Sequence, residues 1–397
     1  MKLLVISPDF PYPPNHGGRV DVWERLKVLS RLAEVDLIAC TKEMPDKDHV
    51  AHVENHVSRL HVLVRQLGIK NVIGLTPYQV KTRDALKNIK LNKEYDVVIL
   101  EGEYVGAAMQ NKALSNAQFL LRIHNDEPLF FSNLAKAASG PKKLYYLTET
   151  IKFKYYCQYL QKKVDALLYI SREEFLKAAK DDSVRKEVQA FWLPAGVKLE
   201  MKSQQNFSAW MEKRKPYVLF VSSLFMPNNT WGISWYIKNV HPLVKKECPG
   251  YELIIAGNTG GKNITELLDV PVSEKASIEL EANPTDQYLR QLYNKCMVFV
   301  APIFHGAGVK LKIINALIEG MPVVTTPKGS EGSGLLHQRH LLEAERPDDF
   351  ATQIIKCLKR PQYAHSLAIS AQEFIESRYN QEENLKKIFD QMGWMTN

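Results

Sequence analysis

Phe304-His305-Gly306-Ala307-Gly308-Val309-Lys310-Leu311-Lys312-Ile313-Ile314-Asn315-Ala316-Leu317-Ile318-Glu319-Gly320-Met321-Pro322-Val323-Val324-Thr325-Thr326 reads as a small-residue loop, an amphipathic helix over 309–319, a glycine stop and a strand. The apolar run at 297–302 supplies a strand just before it, so the stretch is one crossover unit of a parallel sheet. Lys310 and Lys312 fall in the first turns of the expected helix, where a cation opposes the helix dipole. That placement makes sense if a polyanion such as a diphosphate occupies the helix start, because charge and dipole then act on it together. A plain crossover with solvated lysines is the competing reading.

The same alternation extends along the chain in both directions. Continuous apolar runs at 217–223, 252–257, 277–280, 297–302 and 322–326 form one series; those at 2–7, 35–40, 61–64, 96–100, 119–123 and 166–171 form another. Continuous rather than alternating runs suit strands buried on both faces of a parallel sheet. Helical patterns intervene, as at 19–33, where Val22, Leu26, Leu29 and Ala33 share a stripe. Two successive β/α series imply an α/β protein of two Rossmann-like, doubly wound domains, with ligand sites at the carboxyl ends of strands and a cleft where the domains face. We expect a first domain over 1–195, a second over 196–378, a linker within 194–216, and closing helices at 362–378 and 380–392.

Composition agrees. The 397 residues exceed the roughly 250–300 at which single cores stop growing, and 45% hydrophobic with 24% charged residues excludes disorder. No apolar run approaches the ~20 residues of a membrane-spanning helix. The apolar run before Asp9 is too short for a signal peptide, and the five scattered cysteines contain no CxxC pair, so a cytoplasmic setting without structural zinc is expected. The net charge of +8 is concentrated at 142–163, where six lysines and six aromatics accompany a single acid, Glu149. Such a helix suits the anionic inner face of a membrane or an anionic substrate, or it is a solvated face with tyrosines packed inward. No nucleic-acid-binding motif accompanies the charge, so no nucleic-acid partner is expected.

Three further motifs sit where strands end. Pro8 to Arg19 follows the first strand and contains Gly17, Gly18 and Arg19 before a helix; it is either a backbone approach to an anionic ligand or a tight turn. His124, at the end of the 119–123 strand and followed by Asp126 and Glu127, is placed to meet a substrate hydroxyl or orient a sugar. Ser222 to Trp231 offers Ser223, Asn228 and Asn229 for phosphate or nucleotide contacts, Asn229 and Thr230 being alternatively helix caps. Glu331, in the glycine-rich stretch 328–334, can bind a sugar or ribose hydroxyl or simply belong to a surface turn.

In order along the chain, the GGR loop at 17–19, Ile123-His124-Asn125-Asp126-Glu127, WLPAGV at 192–197, Met226-Pro227-Asn228-Asn229 after a strand, and the stretch 306–326 resemble the GT-B glycosyltransferases, specifically family 4-like retaining enzymes that use nucleotide-sugar donors. The resemblance covers essentially the whole chain and rests on the ordered set. It implies acceptor binding by the first domain, donor binding by the second, and a final helix, within 379–397, that crosses back to the first. It also implies that Gly17 and Gly18 approach the donor phosphate and sugar, that His124 contacts the transferred sugar, and that Gly306, Ala307, Gly308 and Val309 supply amides to the distal phosphate and the sugar hydroxyls; His305, just before them, is a further expected donor-site residue. Ala307 and Asn315 stand where the family has two acids, and Ser223 and Asn229 where it often has Arg and Lys. Lys310, with Lys312 beside it, is then placed to replace the missing positive charge.

Glycosyl transfer requires stabilisation of the charge developing on the leaving diphosphate and an acceptor hydroxyl held at the anomeric carbon. His124 and Lys310 are the expected catalytic residues. No DxD-like motif occurs in the second domain, so no metal and no cofactor beyond the nucleotide diphosphate-sugar co-substrate are expected. Retention of configuration is implied by the resemblance alone. The expected acceptor is a glycan or lipid-linked glycan in polysaccharide or glycolipid assembly. The alternatives are a non-catalytic nucleotide-sugar-binding subunit and a nucleotide-sugar epimerase using acids such as Glu101 and Glu103.

Overall fold

The computed structural model describes residues 1–180, 188–201, 206–268, 270–306 and 308–394. Ala307 and residues 202–205 of the expected linker lie outside them. The chain divides into one unit of Met1–Lys198 with Gln381–Asn397 and a second of Leu199–Asn380.

In the first unit β1 (Lys2–Ser7), β2 (Glu34–Thr41), β3 (Arg59–Val64), β4 (Val97–Leu100), β5 (Gln118–Ile123), β6 (Ala166–Tyr169) and β7 (Gln189–Trp192) form one parallel sheet in the order β3-β2-β1-β4-β5-β6-β7. Alternate residues of β1 serve two cores. Leu3 and Val5 pack with Trp23, Leu26 and Leu29 of the helix Gly17–Leu32 and with Leu385, Ile388 and Phe389 of the helix Gln381–Gln391. Leu4 and Ile6 pack on the other face with Val105 and Leu160. A sheet covered on both faces is why these strands read as unbroken apolar runs.

The second unit repeats the plan. Strands β8 (Lys215–Val221), β9 (Glu252–Gly257), β10 (Ile278–Ala282), β11 (Cys296–Ala301), β12 (Val323–Thr325) and β13 (Leu342–Glu343) pair in parallel in the order β10-β9-β8-β11-β12-β13. In both sheets the order reverses beside the first strand, the doubly wound pattern expected from sequence. The short edge strands β7 and β13 were not among the expected runs.

The expected linker is corrected at its start. Residues 193–197 are buried in the first unit: Arg122 donates to the carbonyls of Leu193 and Pro194, and the Gly196 amide donates to Asp21 Oδ1 at 2.6 Å. A Cβ on Gly196 would lie 2.8 Å from the Asp21 carbonyl oxygen, so the chain passes where only glycine fits. The glycine-rich stretch 328–334 begins inside a helical turn, Pro327–Ser330, capped by Thr326.

These contacts belong to a buried ion network. Arg25 pairs with both Asp21 oxygens at 2.9 Å and also grips Glu101, just past β4; Arg122 on β5 reaches Asp21 at 3.1 and 3.3 Å. All four side chains are almost wholly out of water. Burial alone would raise the Asp21 carboxyl, but Arg122 and Arg25 together hold it well below the usual carboxylate range. Glu101 is lowered against the same burial penalty, chiefly by Arg25.

Two outcomes are expected. Asp21→Asn should cost about 3–5 kcal/mol at neutral pH, because it leaves the buried Arg122 guanidinium without its carboxylate and Arg25 with Glu101 alone. A carboxyl with a depressed folded pKa stabilises above its unfolded value near ~4, and that contribution is lost as pH falls below it, so melting scans from neutral to acidic pH should show a shallower acid loss in the variant. In the second unit, a Cβ on Gly257 would sit 1.7 Å from the Ser222 carbonyl oxygen, whereas Gly250 has open space. Urea unfolding should show Gly257→Ala costing about 3 kcal/mol and Gly250→Ala about 0.5 kcal/mol or less.

Candidate functional site

In the first unit, adjacent strands β1, β4 and β5 deliver the loops after Ser7, Leu100 and Ile123 to one cavity of about 200 Å³. Gly18, Arg19, His124, Glu103 and Glu127 are among its lining residues. Gly17 is exposed at the helix start, with His16 as its cap accepting from the Arg19 amide. Arg19 Nε donates to Asp9 Oδ2 at 2.9 Å. Burial would raise Asp9, yet His16 and Arg19 bring it down to about 2, so Arg19 enters the cavity already paired.

His124 stands over the ion network, its Nδ1 3.7 Å from Asp21 and its Nε2 3.4 Å from Glu101. Asp21, Glu101 and His124 offer ligand atoms within 4.8 Å of one another, a spacing a cation can use. The same oxygens already accept from Arg25 and, at Asp21, from Arg122, so a cation would have to compete with two buried guanidiniums for them. Beside it, burial and neighbouring Glu127 push Glu103 well above the ordinary carboxyl range. Burial lifts Glu127 to about 7, although Tyr104 donates its hydroxyl to it at 2.6 Å. Burial thus disfavours the charged form of both groups beside His124.

In the second unit, Lys312 lies in the first turn of the helix Leu311–Ile318, directly after Lys310 at the cap position. Lys312 Nζ donates to Ser222 Oγ and to Asn229 Oδ1, each at 2.7 Å, while Asn229 Nδ2 donates to the Ser223 carbonyl. The structure thus joins Ser223, Asn229 and Lys312 from two separate motifs. Asn229 acts through this bridge and not as a helix cap, since Met226 occupies the cap position. Among the described residues no carboxylate forms an ion pair with Lys312. Burial lowers it to about 8, with Lys310 adding repulsion, and burial likewise lowers Lys310 to about 8.

The loop before this helix turns on Gly306 (φ +109°) and Gly308 (φ +74°), backbone conformations that suit glycine. Lys310 Nζ donates back to the Gly308 carbonyl at 2.6 Å. His305 lies beside the Trp231 ring, 5.3 Å between centroids, and Val309 is partly buried. Asn315 is exposed one turn beyond Lys312, and Asn228 is exposed at the start of the helix Pro227–Asn239. Glu331 pairs with Lys328, and both are near enough to act on the charge of Lys310.

Sequence reasoning missed Asp21 and Arg25. The available signal was a charged i, i+4 pair set among Val22, Leu26 and Leu29, on what should have been an apolar stripe.

Residues 215–360 match the family described as Glycosyl transferases group 1. An uncharacterised 44.6 kDa protein in the cps region of Klebsiella pneumoniae is 36% identical over 98% of this chain and 99% of its own length. Sucrose-phosphate synthase from Thermosynechococcus elongatus has a similar fold, with TM-score 0.68 and 16% identity over 99% of both chains. Anabaena Alr3699/HepE, solved in complex with UDP, gives TM-score 0.64 and 15% identity over 100% of both chains. A glycosyltransferase from Rickettsia africae gives TM-score 0.62 and 14% identity over 98% of this chain and 97% of that one. Residues 215–360 thus carry the match to the group 1 glycosyltransferase family, and the two doubly wound sheets give the whole chain the GT-B fold of these structures.

Proposed function

We propose that this protein moves a sugar from a nucleoside diphosphate-sugar to an acceptor hydroxyl, in surface polysaccharide or glycolipid assembly. The observation that carries the reading is Lys312: an ammonium largely withdrawn from water, bonded to two neutral oxygens, at a helix start that also holds Lys310. A desolvated cation without a counter-ion is stabilised by an arriving anion, and the helix start adds to the attraction. A diphosphate supplies that charge, and Alr3699/HepE has been solved with UDP and with UDP-glucose. The cps-region relative supports polysaccharide as the setting.

In this reading Lys310 and Lys312 stabilise the charge that grows on the leaving diphosphate, without a metal ion. In the first unit, His124, beside Asp21 and Glu101, is the candidate group for contact with a sugar hydroxyl. We further propose a retaining, front-face course: the bond from the anomeric carbon to phosphate oxygen breaks, the bond to the acceptor oxygen forms on the same face, and the acceptor proton passes to the departing phosphate. Glu101 is poorly suited to the acid–base work of an epimerase, since its oxygens are engaged by Arg25 and its pKa is lowered. Asn315, standing where the resembling family has an acid, favours a non-catalytic binding subunit as the second reading; UDP binding without transfer or donor hydrolysis would establish it.

UDP should raise the melting temperature of the wild type, and Lys312→Ala and Lys310→Ala should each weaken UDP at least about tenfold, the scale of a lost charge-assisted contact. Unchanged affinity in both variants would refute the diphosphate assignment. The affinity should also fall as pH rises past about 8, where both lysines begin to lose their protons, and Lys312→Arg should flatten part of that decline.

A further inference from the structure

The sequence of 142–163 suits an anionic membrane, an anionic substrate or solvent, and the first unit displays an exposed apolar surface alongside it. The segment 66–75 exposes Ile69, Ile73 and Leu75 to 86%, 80% and 93%. These side chains are not displayed by a loose backbone. Lys152 Nζ donates to the Val72 carbonyl at 2.7 Å, Asn71 Nδ2 donates to the Gln66 carbonyl at 2.6 Å, and the Gln66 amide donates to the Thr82 carbonyl at 2.8 Å. Gly74, at φ +108°, makes the turn that returns the chain to Tyr78, whose amide donates to Glu149.

Lys152 and Glu149 belong to the helix Gly140–Gln161, so the segment is fastened along that helix. Phe153, Cys157 and Leu160 bury one face of the helix. Leu144, Leu147, Ile151 and Tyr155 follow the i, i+3, i+7, i+11 spacing of a stripe on another face, and all four are exposed. Lys142, Lys143, Lys154 and Lys70 are exposed around the two apolar elements. The helix's one acid, Glu149, is fully buried and paired with Lys152. What faces outward is therefore apolar surface with cations and no acid of the helix to balance them.

We infer that the segment 66–75 and the Leu144–Tyr155 stripe together form a docking surface for an anionic lipid bilayer, the aliphatic side chains entering the interface while the lysines meet lipid phosphates. An exposed aliphatic cluster of this size marks an interaction site. Lysine is depleted at protein–protein interfaces but favoured against anionic headgroups. The inference rests on this surface and not on the donor site, and the experiment reads the two separately.

The full chain would be sedimented with phosphatidylcholine vesicles and with vesicles also containing phosphatidylglycerol. We expect binding to the anionic vesicles only, weakened at least about tenfold both by the triple variant I69S/I73S/L75S and by K142Q/K143Q/K154Q. Both variants alter exposed side chains, so melting temperature and the UDP-induced shift should stay as in the wild type. Equal binding to both vesicle types, or undiminished binding by the folded triple variant, would overturn the inference. So would a wild type that ignores vesicles but self-associates through these residues, as sedimentation velocity would show. Should the triple variant not fold, the lysine variant decides alone. Loss of the UDP shift in the wild type with vesicle binding intact would count against the donor site and leave the bilayer surface standing.

Discussion

Parallel pairing is the constraint from which both candidate sites arise. A parallel strand cannot return through a tight hairpin, so each connection crosses a face of the sheet and every strand presents its carboxyl end at the same edge. In the first unit this brings Asp9, Glu101 and His124 together, though they are far apart in sequence, because β1, β4 and β5 are neighbours. In the second, the adjacency of β8 and β11 brings Ser222 and Asn229 to the helix that carries Lys312.

The two units treat buried charge in opposite ways. Around Asp21 two guanidiniums and two carboxylates compensate one another, so the cluster is a rigid mount whose imidazole neighbour, His124, is set in place. Around Lys312, among the described residues, only neutral oxygens answer the ammonium. The first arrangement balances its own charge; the second leaves an ammonium that an anion would stabilise. That asymmetry distinguishes the two candidate sites more sharply than residue type does.

The sequence carried the doubly wound architecture because strands buried on two faces must be apolar throughout, as in KLLVIS at 2–7 and ELIIAG at 252–257. It did not reveal β7, Gln-Ala-Phe-Trp, or the two-residue β13, since edge strands need neither length nor uniform apolarity. The lysines opposing a helix dipole were legible at 310 and 312, but their division of labour was not. Only coordinates show that Lys312 bridges to Asn229 while Lys310 folds back on Gly308. The aliphatic residues of 66–75 illustrate a different barrier: apolar character in a sequence looks the same whether the side chain ends in a core or in solvent.

The position of Gln381–Asn397 in the first unit has a consequence for how the protein comes into being. Leu385, Ile388 and Phe389 complete a core otherwise built from residues before position 194, and Gln381 bonds the Pro194 carbonyl. Residues of this core that precede position 194 thus leave the ribosome long before the helix that seals them. Until synthesis reaches the terminal helix, part of an apolar surface beside Trp23 and Leu26 stays uncovered while an entire second domain is made. Nascent chains of this protein should therefore rely on holding chaperones throughout elongation, and a stop codon near position 380 should harm the domain farthest from it in sequence.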